Sequence, residues 1–211
     1  MMIAIIGAGN VGGTLGRRWV DSASNTIVFG VRDPAEPKVR ELVASIGASA
    51  SAATVADSVR DAEVVVLATP YHAAQSALAN AGSLAGKTLL DCTNPLRSDL
   101  AGLEIGQTTS AGEQVAGWAP GAHVVKVFNT TGFNNMANPD YGGVPATMFY
   151  AGDDAKAKAV AHELAAQIGF DPVDAGPLVN ARMLEPLAAL WVYLAVHGNI
   201  GREFAFKLLL R

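Results

Sequence analysis

The chain has 211 residues, of which 50% are hydrophobic and 16% charged, so it can bury the core of one large or two small domains. Its net charge is -4 and no basic cluster stands out, which argues against a nucleic-acid-binding protein. Cys92 is the single cysteine, so an internal disulfide is excluded and a reducing compartment such as the cytoplasm is expected.

Strand-like and helix-like segments alternate through the first half of the chain. Apolar runs predict strands at Met2–Ile6, Thr26–Val31, Glu63–Thr69 and Lys87–Thr93. The intervening patterns predict helices at Asn10–Ser22, Pro37–Ile46 and Tyr71–Ala81. This alternation indicates an α/β fold with a doubly wound parallel sheet, in which helices cover both faces.

The regular alternation is lost after Asn94. A loop is expected next, followed by a helix from Ser110, whose spacing to Glu113 is that of a capping box. Further strands are predicted at His123–Phe128, Ala146–Ala151 and Phe170–Asp174, and further helices at Asp153–Ile168 and over most of Leu178–Leu210. The pattern divides the chain into a dinucleotide-binding part, residues 1–145, and a smaller C-terminal part, residues 146–211, packed together as one unit.

A glycine-rich loop follows the first predicted strand and matches the pattern G-x-G-x-x-G. The glycines of this pattern allow a tight turn, close approach of a pyrophosphate, and close contact between helix and strand. The N-terminus of the following helix adds free N–H groups and the positive end of its dipole. A glycine turn without a ligand is the alternative. We predict that a dinucleotide pyrophosphate is bound by Gly7, Ala8, Gly9, Asn10, Val11 and Gly12.

The end of the second predicted strand indicates which dinucleotide is bound. An NAD enzyme usually carries an acidic residue there, whereas this chain has Arg32. A guanidinium can hold the 2′-phosphate of NADP with two charge-assisted hydrogen bonds. The alternative is that Arg32 is a solvated surface residue and that Asp33 binds the ribose of NAD. We predict NADP as the cofactor.

Five segments give the chain a resemblance to a known family. They read IIGAGNVGGTLG, VFGVRDP, LAGKTLLDCTNPL, GAHVVKVFNT and DAGPLVNARMLEPLA, and they extend over nearly the whole chain. In this order they resemble NADPH-dependent reductases of the deazaflavin coenzyme F420, and they are similar to the oxidoreductase domain of the STEAP metalloreductases. The resemblance implies a Rossmann-like fold with a small helical C-terminal part. It also implies an NADP-dependent enzyme that transfers hydride to a flavin or deazaflavin.

The same resemblance implies positions for further cofactor-binding residues. Thr69, Pro70 and His72 would line the cofactor near its ribose and pyrophosphate. The nicotinamide would lie near Asn94, Pro95, Asn129 and Thr130, and the C-terminal helices would partly cover the acceptor ring. Two positions depart from the deazaflavin enzymes: Val31 replaces a hydroxyl residue before the arginine, and Asn129 stands where a histidine is common.

The remaining residues give no catalytic acid or base and no metal site, because the four histidines lack metal-ligand spacing. The apolar run Pro186–Val196 is about half of a bilayer span, so we expect a buried helix and no membrane partner. Trp118, Trp191 and Tyr193 are expected to pack in the core, although Leu187–Leu210 also suits a homodimer interface. Two other functions stay open: a dehydrogenase of a small carbonyl, imine or hydroxy acid, and a redox-sensing protein without turnover.

Overall fold

A computed structural model describes residues 1–211 and contains one sheet of eight strands. The strands are β1 (Met2–Ile6), β2 (Thr26–Val31), β3 (Ala50–Thr54), β4 (Val64–Leu67), β5 (Thr88–Asp91), β6 (His123–Lys126), β7 (Thr147–Gly152) and β8 (Asp171–Asp174). The helices are α1 (Asn10–Ser22), α2 (Pro37–Ile46), α3 (Val55–Val59), α4 (Tyr71–Ala81), α5 (Ala111–Trp118), α6 (Phe133–Ala137), α7 (Ala155–Gln167) and α8 (Ala181–Val196).

The strand order is β3-β2-β1-β4-β5-β6-β7-β8, so the chain reverses its direction of winding between β1 and β4. This arrangement confirms the predicted doubly wound α/β fold, in which ligands bind at such a reversal point. Buried apolar residues form one cluster on each face of the sheet. Leu15 of α1 and Leu164 of α7 lie in one cluster, and Leu78 of α4 and Val115 of α5 lie in the other.

One pair of neighbouring strands does not fit the expectation of a parallel sheet. Strand β7 runs antiparallel to β6, with Val125 opposite Gly152, whereas β7 and β8 are again parallel. A parallel connection needs a crossover that returns the chain to the starting edge of the sheet. The connection from β6 to β7 contains only the five-residue helix α6 and stays at one edge. Strand β7 therefore runs back in the opposite direction.

The pair β3–α3 is absent from the sequence-based prediction. Strand β3 reads ASAAT, and apart from Thr54 it lacks the β-branched and aromatic side chains typical of strands. It is the edge strand of the sheet and pairs in parallel with β2. The register runs from Ile27 opposite Ala50 to Val31 opposite Thr54. A tertiary contact therefore determines this strand, while its local sequence does not indicate it.

The end of the chain also differs from the prediction, because the last helix ends at Val196 and the residues after it form neither helix nor strand. The indole N–H of Trp191 donates to Phe204 O at 2.9 Å, and the two rings stack with centroids 5.2 Å apart. Farther on, the Thr147 N–H donates to Phe206 O at 3.0 Å. Phe204 and Phe206 alternate with smaller or polar residues, a spacing that suits extended chain and does not suit a helix.

Helix α8 is not buried as a whole, which corrects the prediction for Pro186–Val196. Leu184 and Trp191 face the protein and are buried, and core packing is confirmed for Trp191. Tyr193, expected in the core, is 47% exposed, and Met183 is 61% exposed. The segment Leu178–Val196 is long and apolar enough to cross a membrane by length and composition alone, and 28% of its apolar window is buried inside the protein.

Candidate functional site

Hydrogen bonds align the carboxyl ends of five strands along one edge of the sheet. Gly7 N–H donates to Gly30 O at 3.0 Å, and Ala68 N–H donates to Ile6 O at 2.9 Å. The line continues with bonds from Cys92 N–H to Leu67 O and from Val127 N–H to Asp91 O, at 3.1 and 3.0 Å. The segments that follow these strands contain all of the predicted cofactor-binding residues. The fold therefore brings them to one edge, at the point where the winding reverses.

The glycines of the loop between β1 and α1 have distinct roles. Gly7 has φ +110°, and a side chain there would place its Cβ 2.7 Å from Ala68 O. A Cβ on Gly12 would lie 2.1 Å from Gly7 O, so both positions require glycine for the fold itself. A Cβ on Gly9 would meet no atom within 4 Å. The open space above Gly9 is where a pyrophosphate could approach the backbone.

The N-terminus of α1 is suited to an anion. Gly9 is the N-cap and offers no side chain, and no acidic residue lies in the first turn. The first N–H groups of a helix have no partner within the helix, and they carry the positive end of its dipole. Gly9 itself is exposed, as is Asn10. The loop therefore presents unoccupied donors in a concave turn of backbone.

Arg32 follows β2 and is exposed to solvent. Its guanidinium is in none of the eight ion pairs of the structure. The neighbouring Asp33 carboxylate instead accepts a hydrogen bond from Ala35 N–H at 2.9 Å. This bond engages one carboxylate oxygen of Asp33 in its own turn, whereas the Arg32 guanidinium has no partner. Of the two alternatives for cofactor choice, the local geometry favours the arginine.

The turn from β4 to α4 places Thr69 beside the glycine loop, because a Cβ added to Gly7 would lie 3.3 Å from Thr69 Cγ2. Thr69 Oγ1 is buried and has no hydrogen-bond partner. Pro70 is the N-cap of α4, and His72 in the first turn is exposed. The fold therefore brings the turn that carries these three residues to the glycine loop. A ligand hydroxyl or phosphate at this turn would satisfy the Thr69 hydroxyl.

Asn94 and Asn129 form a reciprocal pair at the ends of β5 and β6. The Asn94 side-chain amide donates to Asn129 O at 2.8 Å, and the Asn129 amide donates to Asn94 Oδ1 at 3.1 Å. Phe128 is buried and has φ +58°, a conformation that is strained for a bulky residue and turns the chain sharply before Asn129. Asn129 Oδ1 stays without a partner although it is buried. The pair therefore leaves one acceptor available to a ligand.

Pro95 and Thr130 flank this pair and are both buried. The Thr130 hydroxyl lies 3.9 Å from Met148 Sδ, a weak interaction. Thr93 Oγ1 is buried without a partner. In the whole structure four buried side-chain atoms lack partners, and three of them lie at this edge of the sheet, on Thr69, Thr93 and Asn129. Since buried polar groups are normally paired, this cluster fits a polar ligand such as a dinucleotide.

Sequence reasoning missed a fully buried ion triad next to these residues. Lys126 Nζ lies 3.0 Å from Asp91 Oδ2 and 2.9 Å from Glu185 Oε1, and no member is more than 1% exposed. Lys126 ends β6, Asp91 ends β5, and Glu185 lies on α8. One signal was present in the sequence, since each of the three charges interrupts an apolar segment: HVVKVF, TLLDCT and MLEPLA.

Every polar atom of the triad has a partner. The Glu185 carboxylate accepts from Ala111 N–H at 2.9 Å and from Gly112 N–H at 3.0 Å, which also caps the start of α5. Burial alone would lower the pKa of Lys126, but the charges of Asp91 and Glu185 and the hydrogen bonds they accept raise it above its ordinary value. Removing the ammonium would leave uncompensated buried charge, which costs about 3–5 kcal/mol. The triad therefore fastens α8 to the ends of β5 and β6.

The predicted capping box of α5 is present and connects to α8. Ser110 Oγ accepts from Glu113 N–H at 3.1 Å, and Arg182 donates to Glu113 through two hydrogen bonds of 2.8 and 2.6 Å. Hydrogen bonds from Arg182 first, and then the Ser110 hydroxyl, lower the pKa of Glu113, although burial opposes them. Cys92, in contrast, is buried near this edge, and burial raises the pKa of its thiol. An unreactive thiol follows from this burial.

Comparison with known proteins identifies the family. The family model described as "NADP oxidoreductase coenzyme F420-dependent" matches residues 2–95. The F420-dependent NADP reductase of Methanothermobacter marburgensis is 30% identical over 95% of this chain and 95% of its own length. The chain belongs to the F420-dependent NADP reductase family. The predicted NADP-dependent oxidoreductase, which the resemblance implied, is thereby confirmed.

Two further proteins that are similar to this chain agree with the family assignment. A protein of Arthrobacter sp. FB24 with the provisional name F420-dependent NADP reductase has a solved structure with a TM-score of 0.89 and 33% identity, and the match covers 99% of each chain. Metalloreductase STEAP3 of Rattus norvegicus is 30% identical over 88% of this chain, but the match covers only 36% of STEAP3. The second resemblance noted in the sequence is therefore also confirmed.

Proposed function

We propose that the protein transfers hydride between NADP(H) and a deazaflavin of the coenzyme F420 type. In the direction of NADPH oxidation, the nicotinamide gives up a hydride, the deazaflavin ring gains it together with one proton from solvent, and NADP⁺ is left. The observation that carries the proposal is the set of unoccupied donors and acceptors at one sheet edge, from Arg32 through the glycine loop to Asn129. Relatives of matching length named F420-dependent NADP reductase support the same acceptor.

The residues along this edge have different proposed roles. Arg32 binds the 2′-phosphate, and Gly7–Gly12 with the N-terminus of α1 bind the pyrophosphate. Thr69, Pro70 and His72 line the middle of the cofactor, and the nicotinamide lies beside Asn94, Pro95, Asn129 and Thr130. This direction follows from the strand order, because β2 and β5 lie on opposite sides of β1 and β4. A dinucleotide anchored at β2 must then extend toward β5.

The chemistry of the nicotinamide end favours a ring as acceptor over a small carbonyl. Reduction of a ketone needs a group that protonates the new alkoxide. Asn94 and Asn129 offer only amides, and the nearby Lys126 is buried and bonded to two carboxylates. Ring-to-ring hydride transfer needs alignment and exclusion of water, which packed amides can provide. No side chain has to act as acid or base.

We expect NADPH oxidation when a deazaflavin is supplied and none when simple ketones, aldehydes or 2-hydroxy acids are supplied. Absorbance of the acceptor and of NADPH is followed in the same cuvette, so that both partners of the reaction are measured. A free flavin is the matched control for the acceptor ring. Faster turnover with the flavin would contradict the deazaflavin assignment, and turnover of a carbonyl substrate alone would contradict the whole proposal.

We also propose that α8 joins two copies of the chain into a homodimer. Exposed positions recur along this segment with alternating spacings of four and three residues, as in a coiled-coil seam. Within α8 they are Met183, Pro186, Leu190 and Tyr193, while Val179 precedes the helix and His197 and Ile200 follow it. The only charged residues of α8 are Arg182 and Glu185, and both are paired within the chain. An exposed apolar face without charge suits a second copy of itself, and a soluble cytoplasmic enzyme could cover it in this way.

The double variant Met183→Glu/Tyr193→Glu should be monomeric at concentrations at which the natural chain is dimeric. In a dimer, the two new carboxylates of each copy would be buried in the seam. There they would lose solvation and repel the carboxylates of the other copy. Sedimentation velocity measures the oligomeric state, and circular dichroism checks the fold. Gln75→Glu on the exposed face of α4 is the matched control and should leave the dimer intact. A natural chain that sediments as a monomer would contradict this proposal.

A further inference from the structure

The buried triad of Lys126, Asp91 and Glu185 combines one ammonium with two carboxylates. The three side chains are in direct contact and almost fully buried, so solvent screens their charges little. Their sum is one excess negative charge. The start of α5, which donates two N–H groups to Glu185, offsets about half a unit of it. The neighbouring pair Glu113–Arg182 is balanced and does not cancel the remainder.

This excess charge lies directly behind the proposed nicotinamide site. Asp91 Oδ1 accepts from Thr93 N–H at 2.9 Å, and Lys126 Nζ donates to Thr93 O at 2.5 Å. The next residue along the chain is Asn94, which pairs with Asn129. Asn129 follows Lys126 by three positions, so at about 3.3 Å per residue the two backbones are at most about 10 Å apart.

Tyr71 lies close enough to the triad for the charges of the triad to act on its hydroxyl. Tyr71 begins α4 at this edge of the sheet, and its hydroxyl donates to Gln114 Oε1 at 2.5 Å. Burial first, and then the negative charges of Glu185 and Glu104, raise the pKa of Tyr71, while Lys126 opposes them. At Tyr71, therefore, the charge of Glu185 acts in the direction expected of an excess negative charge.

We propose that the excess negative charge of the triad stabilises bound NADP⁺ relative to bound NADPH. The two forms share the same phosphates and differ in the nicotinamide ring, which is positively charged when oxidised and neutral when reduced. A negative charge behind the ring favours the oxidised form and so assists hydride departure from NADPH. The proposal rests on the proposed function, because it requires the nicotinamide to lie beside Asn94 and Asn129.

The variant Glu185→Gln tests the proposal, because it removes one negative charge and leaves Lys126 paired with Asp91. At about 10 Å and an effective dielectric constant of about 20, one unit charge changes the binding of another by roughly tenfold. The ratio of the dissociation constants, NADP⁺ over NADPH, should therefore rise by roughly tenfold in the variant. Titration calorimetry measures both constants on the same protein sample, so a general loss of affinity cancels in the ratio.

Asp21→Asn is the matched control, because Asp21 is exposed in the last turn of α1. At 1.5 Å per residue this turn lies about 17 Å from the glycine loop, and the ratio should not change. Asp91→Asn removes the same charge from the other side of Lys126 and should reproduce the result if Glu185→Gln does not fold. An equal loss of both forms, or unfolding of both variants, assigns the triad to structure alone and overturns the proposal. Failure of the natural chain to bind either form would instead contradict the proposed function.

Discussion

A Gly9→Val variant should fold normally and lose at least about 100-fold in affinity for NADPH, because the new side chain occupies the space that the pyrophosphate needs. No atom lies within 4 Å of a Cβ at this position, so the fold can accept it. The backbone at Gly9 has φ -82° and ψ -164°, an extended conformation that valine adopts readily. Thermal unfolding should change little, and titration calorimetry should detect the lost affinity.

Gly12→Ala is the matched control within the same loop. It should lower the stability of the fold, whereas Gly9→Val should lower the affinity for NADPH. Its Cβ would lie 2.1 Å from Gly7 O, so the backbone must shift and the free energy of unfolding should fall by about 1–3 kcal/mol or more. The two variants separate the glycine that the ligand requires from the glycine that the fold requires. A Gly9→Val protein that binds NADPH with natural affinity would show that the loop is only a turn.

Arg32→Ala should weaken NADPH binding by roughly 10- to 150-fold, since hydrogen bonds to a charged group contribute about 1.5–3 kcal/mol. NADH lacks the 2′-phosphate, so its affinity should hardly change. Arg32 is exposed and unpaired, which means that its removal leaves no buried charge behind. Titrations with both dinucleotides measure the effect.

Arg60→Ala provides the control for loss of a surface arginine. Arg60 is exposed, pairs with Asp57, and lies at the C-terminus of α3, where the helix has returned toward the opposite edge of the sheet. It should leave both affinities unchanged. Equal losses of NADPH and NADH affinity in Arg32→Ala would contradict NADP specificity and would favour Asp33 as the ribose ligand.

The sequence alone predicts the part of the site that is formed by short segments directly after recognisable strands. Gly7–Gly12 and Arg32 follow strands that are clear in the sequence, and parallel strands end at a common edge, so the sequence alone predicts that they lie close together. The positions of Asn94 and Asn129 were implied by family resemblance alone. Their mutual hydrogen bonds join residues 35 apart and have no local signature.

Other features depend on contacts that local patterns do not encode. Asp91 and Lys126 are 35 residues apart, and the Glu185 carboxylate meets Ala111 N–H across 74 residues, so only the tertiary fold reveals the triad. Strand β3 forms because β2 offers an edge. The exposure of Tyr193 could not be read from apolar content, because buried and exposed apolar helix faces have the same composition.

Transfer of deuterium from labelled NADPH is the most direct test of the proposed function. NADPH that carries deuterium on the transferred face of its nicotinamide is mixed with the protein and a deazaflavin, and the reduced deazaflavin is examined by mass spectrometry and NMR. We expect one deuterium on the ring carbon that receives the hydride, because the acceptor holds it on carbon and does not exchange it with solvent. Reduced deazaflavin without deuterium, or label found only in a small carbonyl product, would contradict direct transfer between the two rings.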